Sequence, residues 1–325
     1  MFFTYAPSKR EISAFLNSLI QKTRTLPFSW LVLLGFTAFG WSCDNSRSTT
    51  STTLQGTVIA GPIQDAQVKA YRIFDGSIDV IPISGASATV DSNGRFSMSL
   101  GGHRGPFAVI VEGGWYRDEA TSSIIQLNSA GVGNSPQNLR ALHPGGTGVL
   151  SITVSPITEL ATSLIPLSSI SALTISRMNT EISEMLGGGL FHPVNTQPVD
   201  ITDSANVGAS QNRREYGLML ATLSQIAVDE AERTQAPFTL GDLLSMLQTD
   251  ASDGVLSNET RFELSAALSG FIDSDANQSG LDSNNTTLQR VLENGDANST
   301  QPIADAGVDQ TVLPNETVQL DGSDS

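Results

Sequence analysis

Asp273-Ser274-Asp275-Ala276-Asn277 sets side-chain oxygens at positions 1, 3 and 5 of a loop, and Asp282 adds another. Oxygen ligands at such spacing are how a hard cation such as calcium is held. The same residues equally describe a solvated turn between helices, in which Asp and Asn bond to neighbouring backbone. Gln278 stands where a calcium loop wants glycine, and Asn284 where it wants a bidentate glutamate. Asp118-Glu119 is a paired carboxylate suited to acid–base work, provided it lies in a cleft. His103, His143 and His192 each sit in Gly/Pro-containing stretches far apart in the chain, which predicts surface loops. Cys43 is the only thiol in 325 residues. No Gly-x-Ser-x-Gly, His-Glu-x-x-His, P-loop or dinucleotide fingerprint occurs, so the expectation is a protein that is not an enzyme.

These groups need elements to position them, and the first element is a leader. Phe28 to Trp41 carries no charge and follows Lys9, Arg10, Lys22 and Arg24. A basic start, an apolar core and small residues at the end mark a secretory signal over residues 1–42. Its core falls short of the ~20 residues a helix needs to cross a bilayer. Residues 43–53 are polar and charge-poor and read as a flexible tether. A lone cysteine between signal and tether resembles the lipid-acceptor cysteine of bacterial lipoproteins. That resemblance implies cleavage before Cys43, acylation of its thiol and a membrane anchor in the cell envelope, with inner or outer membrane open. Simple secretion is the alternative.

Beyond the leader the chain carries 13 Lys+Arg against 32 Asp+Glu. So acidic a surface repels phosphate backbones, which excludes nucleic acid as a partner.

Residues 54–126 alternate apolar and polar positions between turns every 8–12 residues, which predicts a small antiparallel β-sandwich. Strands are expected at 54–60, 66–74, 88–100 as a hairpin closed by Asp91-Ser92-Asn93-Gly94, and 107–121. Gly56-Thr57-Val58, Ala66-Gln67-Val68-Lys69-Ala70 and Val90-Asp91-Ser92-Asn93-Gly94-Arg95-Phe96 resemble a carboxypeptidase-regulatory-like domain. That resemblance implies a prealbumin-like sandwich serving as spacer or binding module, with Phe96 filling the core.

Residues 127–150 read as a Gly/Ser/Asn-rich junction with a strand at Leu139–Leu142. Periodicity then switches to 3.6, and 151–295 reads as an all-α helical bundle with its own core. Ser155-Pro156 is a helix start, and Thr239 with Asp242 is another. Helices are expected at 176–187, 210–234, 259–272 and 286–294. In the longest of these, Tyr216, Met219, Leu220, Leu223, Ile226 and Ala227 form one core stripe.

Residues 302–325 resemble the opening of a PKD domain through Pro302, Ala304, Ala306-Gly307, Asp309-Gln310 and Leu320-Asp321-Gly322-Ser323. The resemblance implies an immunoglobulin-like sandwich cut short, hence a longer surface protein. Together these readings describe a multidomain envelope lipoprotein that binds or spaces, with carbohydrate or protein as ligand. The rivals are the non-catalytic N-terminal part of a secreted hydrolase and an envelope assembly factor acting through its helices.

Overall fold

A computed structural model describes residues 51–127, 138–166 and 168–294. The leader, Cys43 and the PKD-like segment lie outside the described residues.

Among the described residues nine strands come first: β1 (Thr52–Val58), β2 (Gln67–Phe74), β3 (Ser77–Thr89), β4 (Arg95–Gly101), β5 (Phe107–Glu112), β6 (Trp115–Arg117), β7 (Ile124–Gln126), β8 (Arg140–His143) and β9 (Val149–Val154). Six α-helices follow among the described residues: α1 (Pro156–Ser163), α2 (Ala172–Gly187), α3 (Gln211–Thr234), α4 (Leu240–Asp250), α5 (Asn258–Ile272) and α6 (Leu288–Asn294). The strands form a three-stranded sheet β4-β1-β9, a four-stranded sheet β3-β2-β5-β8 and the hairpin β6-β7.

The two larger sheets share one apolar core. Leu54 and Val58 of β1, Phe96 and Met98 of β4, and Ile152 and Val154 of β9 face it from one side. Val68, Ala70, Phe107, Val109 and Ala141 face it from the other. Strict alternation in β4, exposed–buried throughout, puts Phe96, Met98 and Leu100 inward. Gly94 closes the β3–β4 turn at φ +72°, and Asp91 accepts from the backbone N–H of Asn93 and Arg95 at 2.8 Å each. β5 is apolar at five successive positions because both of its faces are covered. Phe107 and Val109 face the shared core, while Ala108 packs with Leu142, Ile165, Ile170 and Ile175 around the start of α2.

Three features depart from the sequence expectations. β1 begins at Thr52, inside the stretch read as tether. β3 fills Ser77–Thr89, where the sequence suggested a strand only from 88. The strand-rich part also runs on to Val154 instead of closing at 126. β8 pairs with β5, and β9 pairs with β1 in parallel, Gly56 opposite Ile152. The span 127–150 is therefore partly sheet, and 151–154 is strand before the first helix begins.

Helix ends follow local chemistry. Ser155 caps α1 in a capping box with Thr158, and Pro156 occupies the first turn. Ser171 and Thr239 cap α2 and α4 in the same way. Sheets and helices then pack on each other, α1 against β8 and β9. Glu159 of α1 takes the backbone N–H of Arg140 at 2.9 Å and its guanidinium through both oxygens. Burial pushes Glu159 up more than Arg140 draws it down. The Tyr216 hydroxyl of α3 meets Ser155 Oγ at 2.8 Å and donates to the carbonyl of Pro193 at 2.9 Å. Its ring stacks on Phe191 at 4.4 Å, so α3 is bolted to the strand-to-helix switch.

Candidate functional site

The β6–β7 hairpin stands opposite the C-terminal half of α3, and a cleft of about 730 Å³ opens between them. The hairpin is held by two bonds between Gln64 and Trp115 backbone, at 2.8 and 3.0 Å. Its turn, Asp118-Glu119-Ala120-Thr121, closes because Asp118 Oδ1 accepts from the N–H and the hydroxyl of Thr121 at 2.9 and 2.8 Å. On α3, Ser224, Ala227, Val228 and Ala231 fall at i, i+3, i+4 and i+7, one stripe of small side chains. Small residues there leave room that leucines would fill. The stripe continues the one beginning at Tyr216, which turns from packed core to open wall at Ala227. Gln235, in the left-handed conformation at φ 53°, ends α3 and turns the chain so that Phe238 and Leu240 close the far wall. Leu139, Pro156 and Leu220 contribute further apolar lining.

The polar end of the cleft is acidic. Asp118 Oδ2 accepts from Ser224 Oγ at 2.6 Å, so its second oxygen is engaged by α3 across the cleft's end. Glu119 is only 5% exposed. Burial pushes its carboxyl up to about 8, helped by Asp118 and Asp200 and opposed by backbone N–H groups at Gly61 and Glu119 itself. At neutral pH Glu119 is therefore mostly a neutral acid, able both to donate and to accept. Tyr116 is held above its ordinary range by burial and then by the two neighbouring carboxyls. Among the described residues no arginine, lysine or histidine lines the cleft.

This arrangement suits recognition of a molecule with an apolar body. Ser224 spends its hydroxyl on Asp118, and among the described residues the lining offers it no histidine or lysine base. The sequence showed the Asp118-Glu119 pair but not its cleft, because the opposite wall comes from residues about a hundred positions later. A stripe of serine and alanine continuing a leucine stripe on one helix was the available signal.

The other predicted groups are placed differently. Asn277 Nδ2 donates to the carbonyls of Ile272 and Leu281 at 3.0 and 2.9 Å, and its Oδ1 accepts from the Ser279 hydroxyl. Asp282 Oδ1 takes the N–H groups of Asn284 and Asn285. Arg214 donates to the Ser279 carbonyl at 2.9 Å, placing a guanidinium against the loop. The loop is thus held by its own turns and by a cation from α3. Among the described residues no group of three or more His, Cys, Asp or Glu side chains is arranged to hold a metal, so Asp273, Asp275 and Asp282 do not converge.

His143 is not in a surface loop. It lies buried in β8, stacked on Phe107 at 4.9 Å, and burial, then His192, pushes it down to about 4. Its Nδ1 accepts from the Gly145 N–H at 3.0 Å, so the neutral ring is a core element. His103 sits edge-on to the same phenyl ring, at 6.2 Å. His192 is half-buried and caps its own loop by accepting from the N–H groups of Val194 and Asn195.

No protein-family model, curated protein or solved structure matches this chain. The cleft's geometry therefore carries the functional argument by itself.

Proposed function

We propose that this chain is a non-enzymatic lipoprotein of the cell envelope whose ordered body binds a small molecule of largely apolar character. Acylated Cys43 anchors it outside the cytoplasm, and the polar stretch after the cysteine holds the body off the membrane. In this reading the two facing sheets act as a sandwich of the carboxypeptidase-regulatory-like kind. The helices form a bundle against it, and the ligand sits at the seam. A PKD-like module continues the chain outward.

The observation carrying this reading is the aliphatic cleft with one buried acid at its polar end. Such walls favour an apolar-bodied ligand over the carbohydrate that the module resemblance first suggested, since sugar sites need more polar groups and stacking platforms than Tyr116 and Phe238 supply. The net acidity keeps nucleic acid out of consideration.

A neutral solvatochromic dye such as Nile red tests the site. It binds with one saturating component, and Ala227→Trp, which fills the space between α3 and the hairpin, abolishes the signal while thermal stability is retained. Unchanged dye binding in that variant contradicts the reading. For the anchor, labelled palmitate enters the wild-type protein in the producing cell and not the Cys43→Ser variant.

A further inference from the structure

We propose that the cleft takes an organic cation, an amine with an apolar body whose ammonium group docks on Glu119. This inference rests on the cleft being a binding site at all. Three observations carry it.

The first is the charge of the lining. Asp118, Glu119 and Glu232 all face the cleft, and among the described residues no basic side chain does. A carboxylate or phosphate head would meet repulsion without a partner, whereas an ammonium meets complementary charge. The second is the state of Glu119. It is at least nine-tenths buried at the cleft's polar end. The ion pairs among the described residues join Lys69 to Glu112, Arg140 to Glu159, Arg177 to Glu181 and Arg233 to Glu230, and none includes Glu119. Burying a carboxyl with no cation costs stability unless the group stays protonated or a counter-ion arrives. The third is what surrounds it. Asp118 on the same hairpin, Asp200 on the loop before α3, Tyr116 on β6 and Glu232 on α3 are all neutral or negative, so every neighbouring element favours an incoming cation.

Proton bookkeeping follows directly. The amine arrives as R–NH3+ and stays protonated. The Glu119 carboxylic acid loses its proton to solvent and becomes the carboxylate of the ion pair, so one proton leaves per ligand bound at neutral pH. Because the unliganded group titrates near pH 8, affinity rises with pH below that value and levels off above it. The slope is about tenfold per pH unit, the signature of one coupled proton.

Calorimetric titration of the full chain with n-octylamine, 1-octanol and octanoate tests this. These three probes share one apolar body and differ in the charge of the head. The amine is expected to bind at least about tenfold more tightly than either of the others, since one ion-paired hydrogen bond is worth roughly that factor. Its heat at pH 7 varies with the ionisation enthalpy of the buffer, reporting the released proton. Glu119→Gln, which imitates the neutral acid and preserves packing, keeps octanol binding and loses both the amine preference and the proton release. Octanol or octanoate binding as tightly as the amine, without proton release, overturns the cation inference and leaves the cleft as a binding site. If none of the three binds at millimolar concentration, the cleft reading falls as well.

Discussion

Ser224 Oγ donates to Asp118 Oδ2 across 2.6 Å, joining residues 106 positions apart. This bond ties the β6–β7 hairpin to α3 and so sets the separation of the two walls. Ser224→Ala leaves a half-buried carboxylate oxygen short of a partner and is expected to cost about 1–2 kcal/mol. Urea denaturation gives the magnitude. Hydrogen exchange should quicken first at the amides of Ala120 and Thr121, and uniform exchange across the chain would speak against this role for the bond.

Glu119 makes stability depend on pH. Its native-state value of about 8 lies above the ~4.3 of an unfolded glutamate, so the unfolded chain binds fewer protons between those two values. The stability that the neutral carboxyl permits is fully present below the unfolded value and is lost as pH rises through about 8. Unfolding free energy should fall by up to ~1.4 kcal/mol per pH unit in that window. Glu119→Gln should flatten the profile between pH 5 and 8, and a mutant curve parallel to the wild-type curve would rule out this assignment.

Glu215 is fully buried on α3 and accepts from the Thr286 hydroxyl at 2.6 Å and the Thr287 N–H at 2.8 Å. It thereby caps the start of α6 from another helix. Removing it strands a buried hydroxyl and a backbone donor together. Glu215→Ala is expected to lose ~3 kcal/mol, and Glu215→Gln, which keeps an acceptor, about half as much. Chemical denaturation of the three proteins checks the order.

Gly56 lies where the Phe96 ring crosses β1. A Cβ built there would stand 2.4 Å from the ring edge and 2.6 Å from the Ile152 carbonyl oxygen. Gly56→Ala should therefore cost about 1–3 kcal/mol through overpacking. Adding Phe96→Leu should recover only part of this, because the carbonyl of the parallel neighbour stays in place. Thermal unfolding of the single and double variants separates the two contacts.

Much of the helical part was legible because its signals are local. Ser155-Pro156 and Thr239 with Asp242 begin helices through bonds spanning three residues, and Gly188 stops α2 in the left-handed conformation. The Asp91–Gly94 turn was legible for the same reason. What escaped depends on distant partners. The parallel pairing of β1 with β9 brings together residues nearly a hundred positions apart, and no turn announces it. β3 was obscured by Pro82 and by exposed Val80 and Ile81, which break the inward–outward alternation. His143 looked like a loop residue beside Pro144-Gly145, yet Phe107 recruits its ring into the core. The Asp118-Glu119 pair was visible, while the wall that makes it a site arrives with α3. The calcium spacing was visible too, but Arg214 and the turns of the loop itself engage its polar groups.

Methyl NMR during titration with 1-octanol tests most directly whether the seam between hairpin and α3 is the binding site. The methyl signals of Leu139, Leu220, Val228 and Leu240 should move together along one saturating curve. Those of Val80 and Ile81, exposed on β3 at 89% and 69%, should stay still. Movement at Val80 and Ile81 with silent cleft methyls would contradict the account.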